Sequence, residues 1–207
     1  MKKRNKIILI IIVLLLGAGS VLGYMKYTNR GPFEGFSVAG LPDNHIKFLN
    51  KQLSQHPFEL LFNAYGGVYF NGNGKDVNVY LSYYKRDELV LHESLASIGF
   101  GNVHVYSGYV LWGLTMKNNL PDELRVDMLA GGGKCSNTFD FSSLDIEPRV
   151  VINPASLNKK SEPIELGKKY ILQKWQTGKY VAFSGDPFDQ EILKESEYTA
   201  LLYLVFE

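Results

Sequence analysis

Between Lys6 and Lys26 the chain runs for nineteen residues, Ile7 to Met25, without a charge, and Ile7 to Leu16 is unbroken aliphatic. Ten consecutive aliphatics leave no polar face, so this stretch cannot be an amphipathic helix lying on a soluble core. As one α-helix rising about 1.5 Å per residue it would reach roughly 28 Å, close to the roughly 30 Å of hydrocarbon in a bilayer. Lys2, Lys3, Arg4 and Lys6 precede it, and no acid occurs before Glu34. The positive-inside bias then assigns residues 1–6 to the cytoplasm and everything after the span to the outside. Residues 7–25 are therefore expected to be a transmembrane signal anchor. A cleaved secretory signal shares the basic start and apolar middle, with Ala18, Ser20 or Gly23 near the cut. The anchor is preferred because Val21, Leu22, Tyr24 and Met25 prolong the apolar run and no Ala-x-Ala ends it. Both readings export the rest of the chain, which is secreted if the leader is cut.

Charge and cysteine content narrow the class of the exported part. Of 22 basic residues in the 207-residue chain, the four in the leader leave 18 against 21 acids. A remainder carrying about −3 lacks the positive patch that nucleic-acid binding needs, so no nucleic-acid partner is expected. The 45% hydrophobic content supports a packed core. A single cysteine, Cys135, excludes an intrachain disulfide and a cysteine-cluster zinc site. Avoiding thiols suits an oxidising exterior. In layout the chain resembles small anchored surface proteins of low-GC Gram-positive bacteria, a likeness of architecture only.

Residues 26–41, with Gly31, Pro32, Gly35 and Gly40, read as a tether, and 42–207 as an extracytoplasmic β-rich domain. Ile46, Leu49 and Leu53 fall at helical spacing, Asp43 can cap and His56-Pro57 can stop, so a helix is expected over 43–55. Beyond Phe58, short Val-, Tyr-, Phe- and Leu-rich runs separated by Gly or Asn turns predict antiparallel strands. They are expected near 58–64, 68–71, 77–84, 103–106, 109–116, 123–129, 138–141, 149–152, 170–176, 180–184 and 198–206. Residues 87–98 fit either a helix closed by Gly99 or a strand paired with 77–84, and the strand is preferred. Asn71-Gly72-Asn73-Gly74 is expected to close a tight hairpin. Asp189 and Glu191 suit the start of a short helix before the last strand, and the apolar run Leu201–Phe206 suits a central strand whose removal would unfold the domain. The fold class is thus mainly β: an antiparallel β-sandwich, immunoglobulin-like or related, with one or two peripheral helices after an N-terminal transmembrane helix.

Catalytic and metal motifs are weak. His45, His56, His92 and His104 show no His-x-x-x-His spacing, and neither a metal nor another cofactor is expected. Gly131-Gly132-Gly133-Lys134 matches the end of a phosphate-binding loop, but Cys135 follows where Ser or Thr is needed, so a loop or bulge between strands is the preferred reading. Ser156 and Lys159 have the spacing of a serine nucleophile and its lysine base, without the companion elements of such enzymes. Asp140, Asp145 and Glu147 form the one acidic cluster that could supply a carboxylate pair for hydrolysis. Aromatic residues carry more signal: Tyr80, Tyr83 and Tyr84 crowd one run, and Tyr106, Tyr109 and Trp112 another. Alternation puts Tyr80 and Tyr84 on one face and Tyr83 on the other. Tyr80, Tyr84 and Trp112 are the candidate binding residues, fit to stack on sugar rings or accept a partner's apolar side chains. The expected function is a non-catalytic binding module held at the membrane, its partner an envelope polymer or another membrane protein. The alternatives are a carboxylate-based envelope hydrolase and a sensory or regulatory ectodomain, whose anchor would pack through Gly17, Ala18 and Gly19.

Overall fold

The computed structural model describes residues 3–33, 37–49, 61–101, 105–118, 120–144, 150–153, 161–177 and 186–207. The apolar leader is helix α1, Lys3–Tyr27, and Leu9 to Leu16 are each between 48% and 67% exposed. It lies against nothing along that length, as an apolar helix consistent with a membrane anchor or a signal sequence does. Asn29, at φ 50°, ends it in the left-handed conformation that commonly closes helices.

Among the described residues eleven strands follow: β1 His45–Phe48, β2 Ala64–Gly72, β3 Asp76–Lys85, β4 Glu88–Gly99, β5 Tyr106–Lys117, β6 Leu120–Ala130, β7 Gly133–Asp140, β8 Val150–Asn153, β9 Glu162–Pro163, β10 Tyr170–Thr177 and β11 Tyr198–Phe206. A short helix, α2 Gln190–Lys194, precedes β11, with the Asp189 carboxylate accepting from the Glu191 N–H. The strands make two antiparallel sheets. One has the order β7-β6-β5-β2-β1-β9 and the other β4-β3-β11-β10-β8.

Alternation decides what each strand buries. Val77, Val79, Leu81 and Tyr83 point inward from β3, and Leu202, Leu204 and Phe206 from β11. They meet Val68 and Phe70 of β2, Val110, Trp112 and Leu114 of β5, and Leu124, Val126 and Met128 of β6 in one cluster shared by both sheets. Each such side chain contributes about 1.5–3 kcal/mol on burial. β11 runs between β3 and β10 and is buried at all nine positions, as its apolar run requires of a central strand. Residues 87–98 fall in β4, whose pairing with β3 slips at Val79/Tyr80 and Tyr83/Tyr84. The first of these bulges, which leaves Leu95 unpaired, lets Leu95 and Ala96 both be buried. Gly131 and Gly132, at φ 54° and 84°, form the two-residue turn between Ala130 and Gly133 that joins β6 to β7.

Three expectations are corrected. The helix over 43–55 is not formed at 45–48, where β1 buries Ile46 and Phe48 and exposes Lys47 with a period of two; the remainder, 50–55, lies outside the described residues. The Asn71–Gly74 turn is not a hairpin, since β2 pairs with β1 and β5 whereas β3 pairs with β4 and β11. It carries the chain from one sheet to the other, with Asn71 buried at 1% exposure. The stretch expected as a tether is hydrogen-bonded into the domain. Asn29 Nδ2 donates to the Leu41 carbonyl at 2.8 Å and to Asp43 Oδ1 at 2.9 Å, and the Gly40 N–H donates to the Thr28 carbonyl at 2.7 Å. The expected strand 180–184 and residues 58–60 of the one expected near 58–64 lie outside the described residues, as do residues 103–104 of the one expected near 103–106; of 61–64 only Ala64 is in a strand.

Candidate functional site

The outer face of the five-stranded sheet carries an aromatic cluster built by strand register. Tyr203 of β11 pairs with Tyr80 of β3, and Ser82 of β3 with His92 of β4. The rings stack in consequence: Tyr80 on His92 at 5.1 Å and 21°, Tyr80 beside Tyr203 at 5.6 Å and 32°. Phe188, just before α2, meets Tyr203 edge-on at 5.1 Å and 87°. Lys169 places Nζ 3.9 Å from the Phe188 ring centre and 5.5 Å from that of Tyr203. Such contacts hold aromatic faces in fixed orientation and leave one cation beside them.

Beneath the rings, Ser82 Oγ lies 3.0 Å from His92 Nδ1 and 3.3 Å from the Tyr203 hydroxyl. A serine and a histidine at that distance resemble a nucleophile and its base. Ser82 is only 2% exposed and its oxygen is engaged by both partners, so the geometry pins the rings rather than presenting an attacking hydroxyl. Burial is the main reason the Tyr203 phenol is pushed above its usual range, against a hydrogen bond from Ser82 that lowers it. Tyr80 is raised for the same first reason, with Glu207 and Asp76 adding negative charge nearby. Both therefore stay neutral donors. Tyr84 is half-buried on the same face and packs on the Leu201, Tyr203 and Val205 cluster. Beside Phe188 a shallow hollow of about 370 Å³ is lined by Lys168, Lys169, Ile171, Asp186 and Pro187.

Of the three candidate binding residues, Tyr80 and Tyr84 share this face. Trp112 does not: it is 3% exposed, in the core and on the other sheet, its ring packed over Gly66. The inward alternation Tyr106, Val110, Trp112, Leu114 already carried that placement, whereas Tyr109 has the outward parity. His92, Phe188, Lys169 and Tyr203 went unrecognised because only strand register and a returning loop bring them together.

A second hollow, about 230 Å³, lies on the six-stranded sheet among Leu61, Phe62, Tyr65, Leu111, Arg125 and Asp127, and the otherwise buried Trp112 contributes to its lining. Partial burial pushes the Asp127 carboxyl up, but hydrogen bonds from Ser136 and Arg125 and the charges of Arg125 and Lys134 outweigh it and hold it below the usual range. Asp127 is thereby committed as an ion-pair partner of Arg125 at 2.9 Å.

The acidic cluster yields no general acid at Asp140. Its carboxylate caps the short 3-10 turn Phe141–Ser143, accepting from the Ser142 N–H at 2.7 Å, and Ser142 holds it low. A general acid needs the opposite shift. Asp145 and Glu147 lie outside the described residues, as do Ser156, Lys159, His56 and His104. His45 sits on β1 with Nδ1 at 2.8 Å from the Asp43 carbonyl. Cys135 is a half-buried free thiol packed on the core. Among the described residues no three His, Cys, Asp or Glu side chains gather where a metal could be held. No family model, curated protein or solved structure matches the chain.

Proposed function

We propose that this is a membrane-anchored, extracytoplasmic binding module, a β-sandwich in the broad sense, that engages a saccharide-bearing envelope polymer through the Tyr80–His92 face, with the buried Tyr203 as its floor. The observation that carries the reading is the pre-stacked aromatic cluster with Lys169 beside it. Flat rings held by Ser82 and by each other are organised before a ligand arrives, which lowers the ordering cost of binding. Sugar rings present C–H faces that suit aromatic planes, and Lys169 suits an anionic substituent. The outside location is supported by the basic residues before the charge-free span, and the retained leader by Val21, Leu22, Tyr24 and Met25, which prolong the apolar run with no Ala-x-Ala at its end.

The test is co-sedimentation of the full chain, in detergent micelles, with isolated envelope polymer, recording soluble fragments as well as bound protein. Binding that falls at least about tenfold, roughly 1.4 kcal/mol, in Tyr80→Ala and in Lys169→Ala supports the reading. Binding unaffected by either substitution refutes the site. Release of fragments refutes a non-catalytic role, and absence of binding refutes the polymer as partner. A second reading, a regulatory ectodomain coupled to its anchor, is favoured by the hydrogen-bonded joint at Asn29; replacing α1 by an unrelated span without loss of function would exclude it.

A further inference from the structure

We infer that one end of the domain rests on the bilayer that holds α1, with Val105, Leu166 and Phe33 in the interfacial layer. The inference rests on the reading of α1 as a membrane span and adds where the domain stands relative to that membrane.

The joint is short and fixed. Only Thr28, Asn29 and Arg30 separate α1 from the next turn, and three residues span at most about 10 Å. Thr28 and Asn29 are buried. Asn29 is bonded to Leu41 and Asp43, and the same Leu41 carbonyl accepts from Asn71 Nδ2 at 2.7 Å. The end of the domain at Asn71 therefore cannot swing clear of the helix.

The same end gathers several loops. The Gly167 N–H donates to the Phe206 carbonyl at 2.8 Å, the Phe100 N–H to the Lys75 carbonyl at 2.7 Å and the Gly131 N–H to the Ser107 carbonyl at 3.0 Å. From these loops Val105 and Leu166 project at 61% and 60% exposure, and Phe33, just past the joint, at 38%. Large apolar side chains left in water at one end are otherwise a cost of about 25 cal/mol per Å² of apolar area. Lys26, in the last turn of α1, and the exposed Lys75 stand at this end to meet lipid phosphates. Tyr24 and Tyr27, both exposed, have the headgroup-level position that aromatic belts occupy. Leu61, Leu89 and Val90, at 65%, 51% and 52% exposure, sit at the opposite end, before β2 and beside the β3–β4 turn, where α1 does not reach.

The experiment places an environment-sensitive fluorophore on single cysteines in the full chain, with Cys135→Ser as background and Cys135→Ala as the alternative should that fold poorly. Probes at Leu166→Cys, Val105→Cys, Leu89→Cys and Leu14→Cys are compared in vesicles of phosphatidylglycerol and phosphatidylcholine carrying headgroup-level or deep quenchers. Support is a blue shift and headgroup-level quenching at positions 166 and 105, no blue shift at 89, and deep quenching at 14. If 14 is quenched but 166 and 105 behave like 89, the anchor stands and this inference is refuted. If 14 is not quenched, the anchor reading fails and takes the inference with it.

Discussion

Replacing Asn71 by alanine tests whether the corner between the sheets also holds the joint to α1. Its Oδ1 accepts from the Val38 N–H at 2.7 Å and its Nδ2 donates to the Leu41 carbonyl at 2.7 Å, with the side chain 1% exposed. Each bond is worth about 0.5–1.5 kcal/mol net, and a buried group left unpaired costs about 1–3 kcal/mol. The Leu41 carbonyl keeps the hydrogen bond from Asn29, so the main orphan is the Val38 N–H. The expected loss is about 2–3 kcal/mol, or about 4–12 °C in a domain of this size. Asn71→Asp keeps the acceptor for Val38 but turns an oxygen towards the Leu41 carbonyl in place of the donor. It should be worse than alanine at neutral pH and recover as acid protonates it. Urea unfolding of the full chain in micelles, followed by the fluorescence of the buried Trp112 and Trp175, measures both. A loss below about 0.5 kcal/mol, the scatter of ordinary surface substitutions, with aspartate no worse than alanine, would refute the reasoning.

Gly66→Ala would put a Cβ 2.1 Å from Trp112 Cζ2, so a loss of about 1–3 kcal/mol is expected, partly relieved by Trp112→Leu in the same chain; melting curves of the singles and the double decide it. Lys174 is 3% exposed, and burial lowers its pKa against an opposing pull from Glu195. The unfolded chain then binds more protons than the folded one just below the ordinary lysine range. Stability should climb with pH there, and Lys174→Met should abolish the climb without destabilising at neutral pH, as denaturation at several pH values would show. Deleting residues 201–207 removes the centre of the five-stranded sheet, and loss of the cooperative unfolding transition is expected rather than a lowered midpoint.

Most strands were legible because alternation and turn residues are local: β3, β10 and β11 lie where Val77–Tyr84, Tyr170–Gln176 and Tyr198–Phe206 place them. The errors share a cause. Ile46, Leu49 and Leu53 satisfy helical spacing, but Ile46 and Phe48 also satisfy a strand, and pairing with β2 and β9 decides between them. Asn-Gly-Asn-Gly announces a turn without saying which strands it joins. The aromatic site was half legible, since Tyr80 and Tyr84 belong to one run while their partners come from β4, β11 and the loop before α2. Parity could have separated Trp112 from Tyr109, but an abundance of aromatics says nothing of the face.

The central place of β11 governs when this molecule can fold at all. Ser82 and Tyr203 meet across 121 residues, and β3 has no inner neighbour until β11 arrives. Pairing of such long range is slow, because loop closure precedes any reward from contacts. A chain exported behind its anchor in sequence order, with the N-terminus held on the near side, would stay threadable until its last strand emerged, and the aromatic face would be completed only on the far side.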